Sequence, residues 1–177
     1  MRRAWIVFAL AASIWAASTE KPRFKRAALT AMEVSFDQRI KTLSDDPFLL
    51  VGPTRGIYLE GYGAVFTSEV SLSNVLGPSP FRPAITSEDI AKIRTKKLER
   101  LPALRLCMRD MLLAAAASLD EVPASEQIVV GVSLLYRPEE DRNGLPGQIL
   151  IQGAKGKLLD AKLNRISLDE AVKSRDF

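Results

Sequence analysis

The sequence predicts an α+β domain: a four-stranded, mostly antiparallel sheet made of two hairpins, with one long helix packed on a face, a helix before it and a short helix at the end. Apolar residues recur at helical spacing over residues 27–43 and 86–119. They alternate, or run unbroken, over residues 57–72, 128–136 and 148–152, and glycine and proline clusters separate the two patterns. Helix, two strands, long helix, two strands, short helix is an order that buries its apolar surfaces most economically as helices laid on a sheet.

The first helix is expected over 27–43, where Leu29, Met32, Phe36, Ile40 and Leu43 fall three or four residues apart. Asp45-Asp46-Pro47 ends it, because the residue before a proline is pushed out of the helical region. Gly52-Pro53-Thr54-Arg55-Gly56 is a turn. Residues 57–66 are strand material, rich in aromatic and β-branched side chains. Beyond Ala64, apolar Phe66, Val70 and Leu72 alternate with polar Thr67, Glu69 and Ser71, as in a sheet with one wet face. Glu60-Gly61 reads as a tight hairpin turn and Gly63 as a bulge or close backbone approach, with one bulged strand over 57–72 as the alternative. Residues 77–83 carry prolines without amide donors and read as a surface crossing.

Thr86, with Asp89 three residues on, caps the long helix. Its stripe Ile90, Ile93, Lys97, Leu101, Leu104, Met108, Met111, Ala115 and Leu119 continues across Pro102, which favours one helix kinked there over two. Lys97 alone interrupts the stripe. Leu112, Leu113 and residues 114–117 make the second half apolar on most sides, fit for the centre of the domain. The nearly unbroken apolar run 128–136 marks a central strand covered on both faces. A polar loop, 137–147, joins it to 148–152 as the second hairpin, and Ser167-Leu168-Asp169-Glu170 is a capping box for the last helix.

The chain opens on Met1-Arg2-Arg3, an apolar run from Ala4 to Trp15 and the small residues Ala16-Ala17-Ser18, in the order of a secretory signal peptide. The apolar run is about a dozen residues, short of the roughly 20 that span a membrane. Cleavage is expected after Ser18, with Ala16 next; bulky Trp5, Phe8 and Trp15 favour the alternative of a retained anchor. Residues 1–18 are thus the signal, 19–26 a linker and 27–177 one domain, large enough to bury a core without staples. The expected location is periplasmic or extracellular.

Among 177 residues there are 25 basic, 21 acidic and no histidine. Arg2 and Arg3 leave with the signal, which brings the mature chain close to neutral and, with export, argues against a nucleic-acid partner. Without histidine, Ser-His-Asp and Cys-His catalysis and the usual zinc sites have no base or ligand. Cys107, the only cysteine, lies beside Leu106 and Met108 and reads as a buried, inert thiol. The lone Ser-x-x-Lys, Ser18 to Lys21, straddles the expected cut. Glu60 and Glu69 are the candidate carboxylate pair for glycoside chemistry, though each reads better as a turn or wet-face residue. Asp45-Asp46 and Glu139-Glu140-Asp141 do not fit a calcium loop, and no metal or cofactor is expected. Gly61-Tyr62-Gly63 lacks the lysine and helix start of a phosphate loop. Lys92, Arg94, Lys96, Lys97 and Arg100 form a basic helix face, read as solvated and offset by Glu88, Asp89 and Glu99.

Gly56-Ile57-Tyr58-Leu59-Glu60-Gly61-Tyr62-Gly63-Ala64-Val65-Phe66 and Gly144-Leu145-Pro146-Gly147-Gln148-Ile149-Leu150-Ile151 resemble segments of exported bacterial proteins of uncharacterised activity. That resemblance implies export and a single domain, and no catalytic residue. The expected function is a non-catalytic exported domain that binds a partner protein, peptide or envelope component. The alternatives are a carboxylate hydrolase acting on an envelope glycan, or a membrane-tethered structural protein if the signal stays. Arg55, Tyr58 and Tyr62 from the first turn region, with Arg142 and Asn143 from the 137–147 loop, are the expected binding surface, because loops on a rigid sheet commonly hold such groups.

Overall fold

The computed structural model describes residues 24–73 and 86–177; the signal and the 77–83 crossing lie outside them. The elements in order are α1 (Arg26–Lys41), β1 (Leu49–Leu50), β2 (Arg55–Leu59), β3 (Gly63–Ser71), α2 (Ser87–Ser118), β4 (Gln127–Leu134), β5 (Gln148–Ala154), α3 (Lys155–Lys162), α4 (Leu168–Ala171) and β6 (Lys173–Asp176). The protein is α+β, but its sheet is six-stranded and mixed rather than four-stranded and mostly antiparallel. The order is β1-β3-β4-β5-β6, with β2 also paired to β3. β3 and β4 run parallel because the connection through α2 brings the chain back to the end of the sheet from which β3 started. The two unexpected strands are short and polar or edge-bound, too brief for an alternation to show.

All described helices gather on one face. Phe66, Val70, Ile128, Val130, Val132, Ile149 and Ile151 point into it and are buried with Phe36, Leu104, Met108, Met111 and Leu112 of the helices. Phe36 meets Phe66 edge to face at 4.9 Å between centroids, joining α1 to β3. Cys107 is buried here, and burial pushes its thiol pKa up. The opposite face carries Arg55, Ile57, Leu59, Thr67 and Glu69, all exposed. No helix among the described residues is long and apolar enough to cross a membrane.

The hairpin is real and the bulged-strand alternative is not. Residues 60–62 make its turn, Tyr62 N–H donates to the Leu59 carbonyl at 3.0 Å, and β2 and β3 pair from Leu59–Gly63 to Arg55–Thr67. Gly63 is the expected close approach: with φ +134°, a Cβ there would stand 1.8 Å from the Gln127 carbonyl oxygen.

α2 is one helix. Thr86 and Asp89 form the reciprocal cap, and Pro102 sits inside it on the exposed side, where the carbonyl it leaves unpaired can meet solvent. The far end of α2 is finished by Lys155, a buried residue whose Nζ donates to the carbonyls of Leu119 and Val122, each at 2.7 Å. α3 was not expected because its only buried apolar side chain is Leu158, which lies against Gly153.

Candidate functional site

The five expected surface residues do not come together. β3 and β4 are parallel, with Gly63 opposite Gln127 and Val70 opposite Leu134, so the turn before β3 and the loop after β4 lie about 23 Å apart along the strands at ~3.3 Å per residue. Tyr62 is exposed at the first end, Arg142 and Asn143 at the other. Arg55 and Tyr58, three residues apart on one strand, point to opposite faces. Tyr58 is half-buried and stacks on Phe24 at 4.4 Å; burial raises its pKa, and Glu126 adds to the rise. The Asn143 carbonyl accepts from Arg94 Nε at 2.7 Å, while Arg142 lies over the Tyr136 ring.

Glu60 and Glu69 are likewise separated. Glu60 is in the turn and Glu69 is six residues beyond Gly63, about 20 Å along β3, against the roughly 6.5–9.5 Å of an inverting carboxylate pair.

The basic face of α2 is engaged mostly by acids distant in sequence. Lys96 and Arg100 both reach Asp46 at 2.7 and 3.0 Å, and their hydrogen bonds and charge hold its carboxyl below the usual range. Arg94 meets Asp141 at 3.5 Å, and Lys92 meets Glu88 at 2.6 Å. Lys97, the break in the apolar stripe, is 1% exposed and is paired with Glu140 beneath the Tyr136 ring. Burial and then Glu140 push the Tyr136 hydroxyl up to about 12, and it donates to the Pro146 carbonyl at 2.8 Å. Asp141 and Glu140 fasten the 137–147 loop to α2, and no metal-ligand cluster occurs among the described residues.

One cleft remains whose charges are unspent. β1 and β2 share the outer edge of β3, and the excursion through Gly52-Pro53 between them leaves a cavity of about 360 Å³ lined by Arg55, Thr67, Glu69 and Ser133. Its wall is fixed from behind: Thr54 N–H donates to Asp37 at 2.8 Å, and the Thr54 and Ser68 hydroxyls bond at 2.8 Å. Arg55 is directly opposite Thr67, and Glu69 opposite Ser133, so all four side chains project from the helix-free face. Arg55 and Glu69 are diagonal neighbours, about 7–8 Å apart, and neither has an ion-pair partner among the described residues. The cleft therefore offers a cation, an anion and two hydroxyls to a small polar ligand. Glu69 is its only carboxylate among the described residues. Arg55 and Glu69 are candidates in the sequence on separate grounds, and Ser133, a polar residue within the apolar run of β4, is a further signal of the cleft. Comparison with family models, curated proteins and solved structures finds no significant match.

Proposed function

We propose that the protein is an exported, non-catalytic binding domain of the periplasm or extracellular space, and that the cleft between Arg55 and Glu69 holds the charged end of a peptide or envelope component. The observation that carries this reading is the unpaired cation and anion in one cleft, on a face where Ile57 and Leu59 are also 54% and 44% exposed. A guanidinium binds a carboxylate through paired donors, a carboxylate accepts an ammonium, and the apolar side chains beside them suit the ligand's body. The hydrolase reading has no second carboxylate in the cleft among the described residues. Export is supported by the charged, apolar and small-residue order of residues 1–18.

Titration with the zwitterionic dipeptide alanyl-alanine, followed by amide NMR shifts, tests the site. Shifts at Arg55, Thr67 and Glu69 should disappear in Arg55→Ala while the unfolding midpoint stays put. No shift at millimolar dipeptide would overturn the ligand assignment. N-terminal sequencing of the secreted chain should begin at Thr19 or Ala17; a mature chain starting at Met1 would overturn cleavage.

A further inference from the structure

The geometry points to a second binding surface: the outer edge of β6 is a docking site for an extended acidic peptide of a partner protein, which adds a strand to the sheet. The ladder shows which backbone groups are open. Gln148 and Phe177 exchange both hydrogen bonds, N–H to O at 3.1 and 2.9 Å, so the alternation of an antiparallel pair turns Arg175 and Lys173 toward β5 and the N–H and C=O of Ser174 and Asp176 outward. No described group bonds to those outward positions.

Both faces beside this edge are shaped for side chains. On the helix face, β6 and α2 enclose a groove of about 360 Å³ lined by Pro102, Arg105, Leu106, Arg109, Ile151 and Ser174, with Leu106 61% exposed. Arg105 and Arg109 are paired with Asp176 and Asp169, which leaves Leu106 and Pro102 as the surface the groove offers to an apolar side chain. On the other face Lys173 and Arg175 are exposed and have no ion-pair partner among the described residues. An added strand sends alternate residues to the two faces, so the complementary segment alternates acidic residues over Lys173 and Arg175 with apolar residues in the groove.

A second copy of β6 does not fit. A two-fold axis perpendicular to the sheet sets Ser174 against its copy, which faces Lys173 with Arg175, or Arg175 against its copy. Like charges directly opposite are destabilising.

The test is fluorescence anisotropy of the full chain with a labelled octapeptide of alternating glutamate and valine. Binding should weaken with salt and fall at least about tenfold when lysine replaces glutamate. Ser174→Pro removes an outward N–H and no bond to β5, so it should lower affinity about tenfold at an unchanged melting temperature. Should Ser174→Pro fail to fold, peptides N-methylated at alternate residues in either register probe the same bonds; one of them should bind about tenfold more weakly. Lys41→Ala, an exposed change on α1 beside the opposite edge, should change nothing. No binding at millimolar peptide would overturn the proposal. So would equal affinity in every backbone-blocked form, or a dimer of the chain that the peptide does not dissociate.

Discussion

The two edges of the sheet are treated in opposite ways. At β2, the outward N–H of Gly56 is taken by Glu33 Oε1 at 2.7 Å, its carbonyl accepts from Arg26, and the N–H of Thr54 goes to Asp37. Glu33 and Asp37 are four residues apart on α1, a rise of about 6 Å, and Thr54 and Gly56 are two apart on extended chain, about 6.6 Å, so the helix repeat matches the strand repeat. A helix can thus close a strand edge with side chains where a neighbouring strand would use its backbone. At β6 no described side chain gives such cover, and Lys173 and Arg175 set positive charge along the edge instead. Cover makes an edge unavailable; charge leaves it available to a partner of the other sign.

The strongest way to break this contrast is Gly56→Val. A Cβ there would stand 2.7 Å from the Phe66 ring and 3.3 Å from Glu33 Oε1, so the ring must shift and the plug open. Denaturant unfolding should show a loss of about 3 kcal/mol; an unchanged midpoint would mean the edge has room to spare. Glu33→Ala should cost about 2 kcal/mol, since it strands the Gly56 N–H and loses a charge-assisted bond. Hydrogen exchange should then quicken at Gly56 and not at Ser174, and equal rates before and after would remove Glu33 from the edge's defence.

A smaller effect separates the ion pair at β6 from the plug at β2. The Arg105 hydrogen bond holds the Asp176 carboxyl below its ordinary 3.8. A lowered folded value stabilises the protein above the unfolded pKa, and that stability is lost as pH falls through the folded value. Both side chains are partly exposed, so Arg105→Gln should cost under about 1 kcal/mol at pH 7, and the gap should narrow as pH falls below 3.8 and close in stronger acid. A gap that persists in acid would mean Arg105 acts through packing. Smallest of all, Lys173→Ala with Arg175→Ala should leave stability within about 0.5 kcal/mol. The same change should permit edge-to-edge dimers visible by light scattering, and a chain that stays monomeric at high concentration would show that charge does not guard β6.

Much of the fold was legible because it is set locally. Leu29 to Ile40 at helical spacing, Thr86 with Asp89, the glycines at 61 and 63 and the apolar run of β4 each specify their element within one or two turns of chain. Arg55 and Glu69 of the candidate site were both legible, but in separate groups, Arg55 with the tyrosines and Glu69 with Glu60. Glu69 and Ser133 belong to different strands, and nothing within either strand indicates that the two meet; Tyr62 is kept from Arg142 and Asn143 by the parallel pairing of β3 and β4, which no local pattern encodes.

Taken alone, the sequence determined the periodic elements, their order, the burial of the α2 stripe and the inert setting of Cys107, because periods of 3.6 and 2 and the caps are short-range properties. The parallel direction of β3 and β4, the short edge strand β6, the burial of Lys97 with Glu140 and the closing of β2 by α1 were decided by tertiary structure. Each depends on groups dozens of residues apart, whose partners exist only once the chain has crossed back over the sheet.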